Sequence, residues 1–531
     1  MKPSPLLEIK DLVTEFNTDD RCFKAVNNIN LTINKGEVAG LVGESGAGKS
    51  TVALSILKLI NSPDKITSGK LIYHTGSQSV DLIDLNEKEL CDYRGKEIAM
   101  IFQDPRSSLN PVYTCGHQVA ETLILHEKCS YKVAKQKTIE LFKEVNLSET
   151  ERIFSAYPHQ LSGGQLQRVM IAMAISCHPS LLIADEPTSA LDTQNERIVL
   201  NILKKLNKEK GMAILLITHA LPIITELTDR IAVMYKGQIV EEGDREALFS
   251  NPQHIYTKEL LASRLPDNKR EKHLSKPGLN QPLLKLIGLK KYFPVQKNIF
   301  SLTKTYVKAV NGISFEIHPG ETLGLVGDSG CGKTTLSRTL LKLIEPTAGN
   351  IFFKGKDISA YTVRELQPLR RQMQLIFQNP YMALNPKITI GEAIAEPMRI
   401  HKLYLNESKR KEKTIELLEK VNLHSSHLNR YPHEFSGGER QRICIARALA
   451  LNPELIICDE AVSSLDTINQ LQVLNLLLQL QKEFNLAYLF ISHNISVVNY
   501  MSDRVIKMEN GKLNEMLNVL IDLHSFTILS R

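Results

Sequence analysis

One ordered set of short motifs occurs twice in this chain of 531 residues. GESGAGKS at Gly43–Ser50 returns as GDSGCGKT at Gly327–Thr334, and LSGGQ at Leu161–Gln165 returns as FSGGE at Phe435–Glu439. LLIADEP at Leu181–Pro187 returns as LIICDEA at Leu455–Ala461, and LLITH ending at His219 returns as LFISH ending at His493. From LSGGQ onward the copies stay 274 residues apart. Small structural repeats run only about 20–50 residues, so this spacing means duplication of a whole domain. Each copy must fold around its own core, and the chain length suits two or more cores.

Hydrophobic residues at 43% and charged residues at 23% are ordinary for a water-facing globular chain. No apolar run approaches the roughly 18–20 residues that cross a bilayer, and MKPSPLLEIKDLV lacks the features of a signal peptide. The expectation is a cytoplasmic protein that reaches a membrane only through partners. The eight cysteines form no CxxC pair, which argues against a metal or disulfide framework. A net charge of +7 is thinly spread, and basic runs such as Lys409–Arg410–Lys411 are flanked by Glu407 and Glu412. Nucleic acid is not an expected partner.

Each copy opens with strand-like alternation, at Leu7–Phe16 and Leu284–Phe293. EVAGLVGESGAGKSTVALSILKLI then reads as buried strand, tight loop and helix, with Val52, Leu54, Ile56, Leu57 and Ile60 at helical spacing. Residues 110–180 and 385–452 are rich in helix formers and predict a helical subdomain inserted into a parallel-sheet core. The short apolar runs before Asp185 and Asp459 suit buried parallel strands that deliver acids to their carboxyl ends. Residues 266–282 hold three prolines and many charges and read as a linker between domains 1–265 and 283–531.

GxxxxGK[ST] is a phosphate-binding loop. Its glycines let backbone N–H groups wrap an anion at a helix N-terminus. Lys49 and Lys333 are expected to reach the β- and γ-phosphates, and Ser50 and Thr334 to offer a hydroxyl to Mg²⁺. A single DE pair often does no more than end a strand. Downstream of a phosphate loop in both copies, Asp185 and Asp459 are expected to hold Mg²⁺, and Glu186 and Glu460 to orient water. His219 and His493 follow those acids at matched distances, which favours a γ-phosphate contact over a structural histidine. Gln103 and Gln378 gain meaning only from lying between the phosphate loop and SGG. Ser162–Gly163–Gly164 and Ser436–Gly437–Gly438 each open a second helix, hence a second anion-binding N-terminus. A domain with its own phosphate loop does not need another, so each SGG is expected to cap the ATP held by the other copy.

Together these motifs resemble the ATP-binding cassette (ABC) superfamily, with Walker A, Q-loop, signature, Walker B, D-loop (ending at Asp192 and Asp466) and switch histidine in order. The resemblance implies an α/β fold: two tandem P-loop NTPase domains, each a RecA-like core with an antiparallel β subdomain and an inserted helical subdomain. It implies that two cassettes close head-to-tail around two ATPs and reopen on hydrolysis. One site would comprise Gly43, Glu44, Ser45, Gly46, Ala47, Gly48, Lys49, Ser50, Thr51, Gln103, Asp185, Glu186 and His219, closed by Ser436–Gly438. The other would comprise Gly327, Asp328, Ser329, Gly330, Cys331, Gly332, Lys333, Thr334, Thr335, Gln378, Asp459, Glu460 and His493, closed by Ser162–Gly164. Mg²⁺ would sit on Ser50, Gln103 and Asp185, and on Thr334, Gln378 and Asp459. Phe16 and Phe293, or its neighbour Tyr292, align with the aromatic that stacks on adenine, although each also suits an ordinary strand position.

QDPRSSLNP at Gln103–Pro111, QNPYMALNP at Gln378–Pro386 and NPQHIYTKELL at Asn251–Leu261 resemble importers of dipeptides, oligopeptides and nickel. The fusion of two ATPases in one chain, with YPHQLSGG and VMIAMA, looks most like the ATPase subunit of microcin C and oligopeptide importers. That likeness implies two separate transmembrane permease subunits, an indirect periplasmic solute-binding protein and a place on the cytoplasmic face of a bacterial inner membrane. The competing reading is a soluble twin-cassette ATPase working on ribosomes or DNA. Such proteins usually carry a long charged helical linker or zinc-binding insertions, which this chain lacks. A non-hydrolysing scaffold conflicts with intact Lys, Asp, Glu and His in both copies.

Three features depart from the family pattern. Ala220 and Asn494 follow the histidines where Asp is usual, Ala461 replaces proline, and the pattern fades after Gly511–Lys512. The last two make the second site the expected slower one. Cys331, inside the loop and near a helix N-terminus, is expected to have a lowered thiol pKa.

Overall fold

The alternation in the first residues of each copy is realised as long, bent antiparallel strands. The computed structural model describes residues 4–18, 21–76, 78–189, 191–263, 281–295 and 305–517. The chain forms two compact units, one from each half; most of the predicted linker lies outside the described residues.

In the first unit a four-stranded antiparallel sheet runs in the order Arg21–Asn34, Pro5–Thr18, Lys65–Thr75, Gln78–Asp81. A second sheet has six strands in the order Gln238–Asp244, Arg230–Tyr235, Val38–Val42, Ala213–Thr218, Leu181–Asp185, Ile98–Ile101. Four of its five pairings are parallel: Val38–Val42 with Ala213–Thr218 and with Arg230–Tyr235, and Leu181–Asp185 with Ile98–Ile101 and with Ala213–Thr218. Only the edge strand Gln238–Asp244 runs antiparallel. The second unit repeats both sheets, with Arg504–Glu509 and Lys512–Leu517 as its closing hairpin.

Every residue of Val38–Val42, Leu181–Asp185 and Ala213–Thr218 is buried, as parallel strands covered on both faces require. Alternation still decides which core each side chain joins. Leu182, Ala184 and Leu216 pack with the inserted helices, among them Val119, Phe142 and Met170. Leu181, Ile183 and Leu215 pack on the opposite face with Val52, Ile56 and the antiparallel sheet. Each such fully buried Leu or Ile contributes about 1.5–3 kcal/mol.

The inserted subdomain consists of helices Cys115–Glu127, Tyr131–Glu144, Thr150–Ser155 and Gly163–Ala174. Its counterpart contains Ile390–Ile400, Glu407–Lys420 and Gly437–Leu449. The phosphate-loop helix is shorter than its apolar spacing suggests: it covers Lys49–Ile56, and Leu57 is already its cap. The fading of the second copy past Lys512 does not abolish its last strand. Lys512–Leu517 pairs with Arg504–Glu509 just as Gln238–Asp244 pairs with Arg230–Tyr235. Residues 518–531 lie outside the described residues.

Candidate functional site

Parallel register brings the motifs together. Val42 pairs with Thr218 and Asp185 with Ile217, so the phosphate loop, the DE pair and His219 leave neighbouring strands at one sheet edge. Gln103 follows the adjoining strand Ile98–Ile101, whose partner is Leu181–Asp185. This is the carboxyl edge at which open α/β sheets bind ligands. The second unit repeats the arrangement with Val326 opposite Ser492 and Asp459 opposite Ile491.

Glycine is obligatory at the turn into the helix. Gly48 and Gly332 cap their helices at φ 101° and 110°. A Cβ there would lie 2.2 Å from the Ala25 carbonyl oxygen and 2.0 Å from that of Ala309. The loop lysines are buried. Lys49 Nζ donates to Gly43 O at 2.8 Å and Glu44 O at 2.7 Å, while Lys333 donates to Gly327 O at 2.7 Å and Asp328 O at 2.9 Å. Desolvation holds the Lys49 ammonium below its ordinary pKa, against the upward pull of Glu186 and Asp185.

Glu186 is the hub of the first constellation. One carboxylate oxygen accepts the Gln103 amide at 2.8 Å and the other faces His219 Nδ1 at 2.8 Å. Burial pushes this carboxyl up, but His219, Lys49 and Gln103 together hold it below the usual value. Glu460 accepts Gln378 at 2.9 Å, with His493 Nδ1 at 3.5 Å and Lys333 Nζ at 3.6 Å. Both glutamates occupy left-handed backbone, at φ 47° and 49°, and both amides donate to the neighbouring strand, to Ile217 and Ile491. Ala461 therefore leaves its glutamate in the same backbone pose that Pro187 does. The difference between the sites lies in the side-chain partners.

Burial raises the pKa of Asp185 despite the neighbouring Ser50 hydroxyl, and its Oδ1 is buried without a hydrogen-bond partner. Asp459 is also raised by burial but is better supplied, by Ser337 at 2.9 Å and Thr334 at 3.4 Å. Ser337 was not among the expected site residues. It stands one helical turn beyond Thr334, a spacing that puts both hydroxyls on one face; Ala53 holds the equivalent place in the first copy.

Ser162 and Ser436 each accept the third backbone amide of their helix, and Gln165 and Glu439 complete capping boxes. Gly163 has open space around it, whereas a Cβ on Gly164 would meet Asn195 at 2.3 Å. Gly438 is confined in the same way by Asn469, at 2.5 Å. Asn494 in place of the usual Asp caps its helix through Ser496 N and Val497 N, while Ala220 offers no side-chain cap.

In the second unit a cavity of about 520 Å³ opens over the phosphate loop, lined by Lys333, Thr334, Gln378, Glu460 and, from the neighbouring strand, Val307 and Lys308. Phe293 and Tyr292 do not line it: Phe293 lies under the Lys291 ammonium, and the Tyr292 hydroxyl donates to Asn311. Val307 is the cross-strand partner of Phe293. The same register pairs Phe16 with Phe23, edge to face at 5.7 Å, and Phe23 is half exposed. The expectation of a lowered pKa at Cys331 needs correction. Burial outweighs the Lys333 charge and raises its thiol pKa. Its alkylation is therefore expected to be slower than that of a free thiol at pH 7 and to rise with pH beyond the usual thiol range near 8.5. Iodoacetamide rates across pH check this, and a fast plateau below pH 7 would contradict it.

The sequence patterns also gave no warning of the closing hairpin. Gly237 N–H donates to Ala47 O in the phosphate loop, and Gly237 O accepts Asn27 N–H. Gly511 repeats both bonds, with Cys331 O and Asn311 N–H. The turn thus ties the loop to the antiparallel sheet, which explains why the second copy keeps this strand.

A phosphate loop, acid pair, histidine and glutamine on one sheet edge, twice over, define an ABC-type ATPase. The ABC transporter family model matches residues 26–189 and 310–463, and the chain belongs to that family. It is an ATP-binding protein with two cassettes that hydrolyse ATP to drive transport through separate membrane subunits.

Among its relatives, the glutathione import ATP-binding protein GsiA of Salmonella typhimurium is 44% identical over 96% of this chain and 86% of its own. GsiA of Escherichia coli K12 is 43% identical over the same shares. Of solved structures, the dimeric bacterial ABC transporter cassette MJ0796 is 31% identical over 45% of this chain and 98% of its own, with a TM-score of 0.41.

Proposed function

We propose that this chain powers an importer for peptides or peptide-like compounds. The observation that carries the cargo class is the identity of 44% over 96% of the chain with a glutathione import ATP-binding protein. Glutathione is itself a small peptide, and the QDPRSSLNP, QNPYMALNP and NPQHIYTKELL segments support the same class.

In this reading Lys49 and Lys333 bind phosphate oxygens, Glu186 and Glu460 orient the attacking water, and His219 and His493 hold the γ-phosphate. The two SGG helix N-termini each complete the nucleotide site of the other copy. Mg²⁺ would be held by Ser50, Gln103 and Asp185, and by Thr334, Gln378 and Asp459, and would neutralise phosphate charge. These are hard oxygen donors, few in number, as suits an ion that keeps much of its water. The unpartnered Asp185 Oδ1 fits that assignment, since a buried carboxylate oxygen needs a donor. The protein's own contribution is positioning and charge placement, because phosphoryl transfer to water needs little covalent chemistry.

Apolar side chains follow each Q-loop glutamine into solvent: Val112 is 71% exposed and Met382 88%, with Tyr113 and Tyr381 beside them. They are suited to docking on two permease subunits at the cytoplasmic face of the inner membrane. Among the described residues no helix is long and apolar enough to cross a membrane. The test is co-expression with the permeases and uptake of labelled glutathione and short peptides into vesicles loaded with ATP. ATP-dependent uptake is expected. ATP hydrolysis without uptake, together with co-sedimentation on ribosomes or DNA, would favour the twin-cassette alternative.

A further inference from the structure

The segment Asn251–Leu261 lies beyond the last strand of the first cassette, and the reading above gives it no part in ATP handling. Its backbone is fastened to the closing hairpin, where the Glu241 carboxylate accepts Gln253 N–H at 2.8 Å and His254 N–H at 3.0 Å. His254 then caps the helix Ile255–Ala262 by accepting Tyr256 N–H. Tyr256 is 3% exposed, and its ring stacks on Tyr235 with centroids 4.3 Å apart. Its hydroxyl accepts the backbone N–H of Glu44, inside the phosphate loop, at 2.8 Å. The same Gly43–Glu44 peptide gives its carbonyl, Gly43 O, to Lys49 Nζ at 2.8 Å. One peptide plane is therefore gripped from both sides, by a tyrosine hydroxyl on its N–H and by the loop lysine on its C=O.

We infer that Tyr256 is a positioning residue for the first ATP site: it fixes the Gly43–Glu44 peptide and, through it, the seat of the Lys49 ammonium. The inference rests on reading Gly43–Thr51 as the phosphate loop. A peptide plane held on one edge only is free to rotate. Rotation would turn Gly43 O away from Lys49 and leave a part-buried N–H without its tyrosine partner. Tyr256 touches no nucleotide; it acts through the loop.

The experiment is ADP titration by calorimetry on the full chain carrying Lys333→Ala, which silences the second loop. With Tyr256 intact, one binding event at the first site is expected; its absence would overturn the phosphate-loop reading and the inference together. Adding Tyr256→Phe keeps the ring and its stacking and removes only the hydroxyl. It is expected to weaken ADP about tenfold, the equivalent of one ordinary hydrogen bond at about 1.4 kcal/mol per decade. In the chain with both loops intact, Tyr256→Phe should raise KM for ATP and leave kcat nearly unchanged. The second site, titrated in a Lys49→Ala chain, serves as the folding control and should not respond to Tyr256→Phe. Unchanged first-site affinity, or equal weakening at both sites, would reduce Tyr256 to a packing residue and overturn the inference.

Discussion

Glu186→Gln is expected to lower ATP turnover by about 10²–10³-fold at the first site, within the range for removing a positioned general base. The substitution keeps the shape but loses the charge, and only one of its two terminal atoms can still accept. At present both oxygens accept, from Gln103 and from His219, each at 2.8 Å. The variant can still accept from Gln103, but it must present an N–H to His219, whose Nδ1 must then accept; the histidine tautomer changes and the negative field at the water is lost. Glu460→Gln should have a smaller effect on total turnover. Its carboxylate stands between His493 at 3.5 Å and Lys333 at 3.6 Å, an arrangement less committed to the histidine. Steady-state phosphate release from the two variants is the measurement. Equal losses would show that the difference in side-chain partners has no kinetic weight.

Gly48→Ala should abolish useful nucleotide binding at the first site, with an affinity loss of at least about a hundredfold. Two effects act together. A non-glycine residue in left-handed backbone costs about 1–3 kcal/mol, and at φ 101° Gly48 lies beyond even the usual αL region. The new Cβ would also stand 2.2 Å from the Ala25 carbonyl oxygen, so loop or strand must move. At about 1.4 kcal/mol per decade, strain alone gives one to two decades, and the displaced loop amides add the rest. Gly46→Ala is the internal comparison: its φ is 84°, but nothing lies within 4 Å of the added carbon. Strain without collision should weaken binding by about tenfold. ADP titration of the two variants separates these contributions, and equal affinities would mean the Ala25 contact does not matter.

The repeat, the loop, the acid pair and the histidine were legible because each is short in sequence and tied to one strand end. GLVGESGAGKS carries its own strand, turn and helix start, and the structure follows that order from Val38 to Lys49. Contacts made across the fold left weaker traces. Nothing local marks Gly237 as a partner of Ala47, or Tyr256 as a partner of Glu44. The thiol of Cys331 was misjudged for a related reason. A helix N-terminus can be read from sequence, whereas desolvation depends on neighbours brought in from elsewhere. Ala461 leaves no mark on the backbone pose of Glu460, whose φ and amide bond to Ile491 match those of Glu186 with Ile217.

The hairpin glycines Gly237 and Gly511 have a consequence for synthesis on the ribosome. The phosphate loop of each cassette emerges early, but the turn that fastens it to the antiparallel sheet is translated only after the inserted helices and the remaining parallel strands. The bracing of each phosphate loop is therefore a long-range closure, formed late in the folding of its own domain. Because domains generally fold as units, the first cassette has every element of its loop bracing before translation of the second begins. The first phosphate loop is then braced while the second cassette is still being made, and only the proposed capping SGG helix of that second copy remains to come.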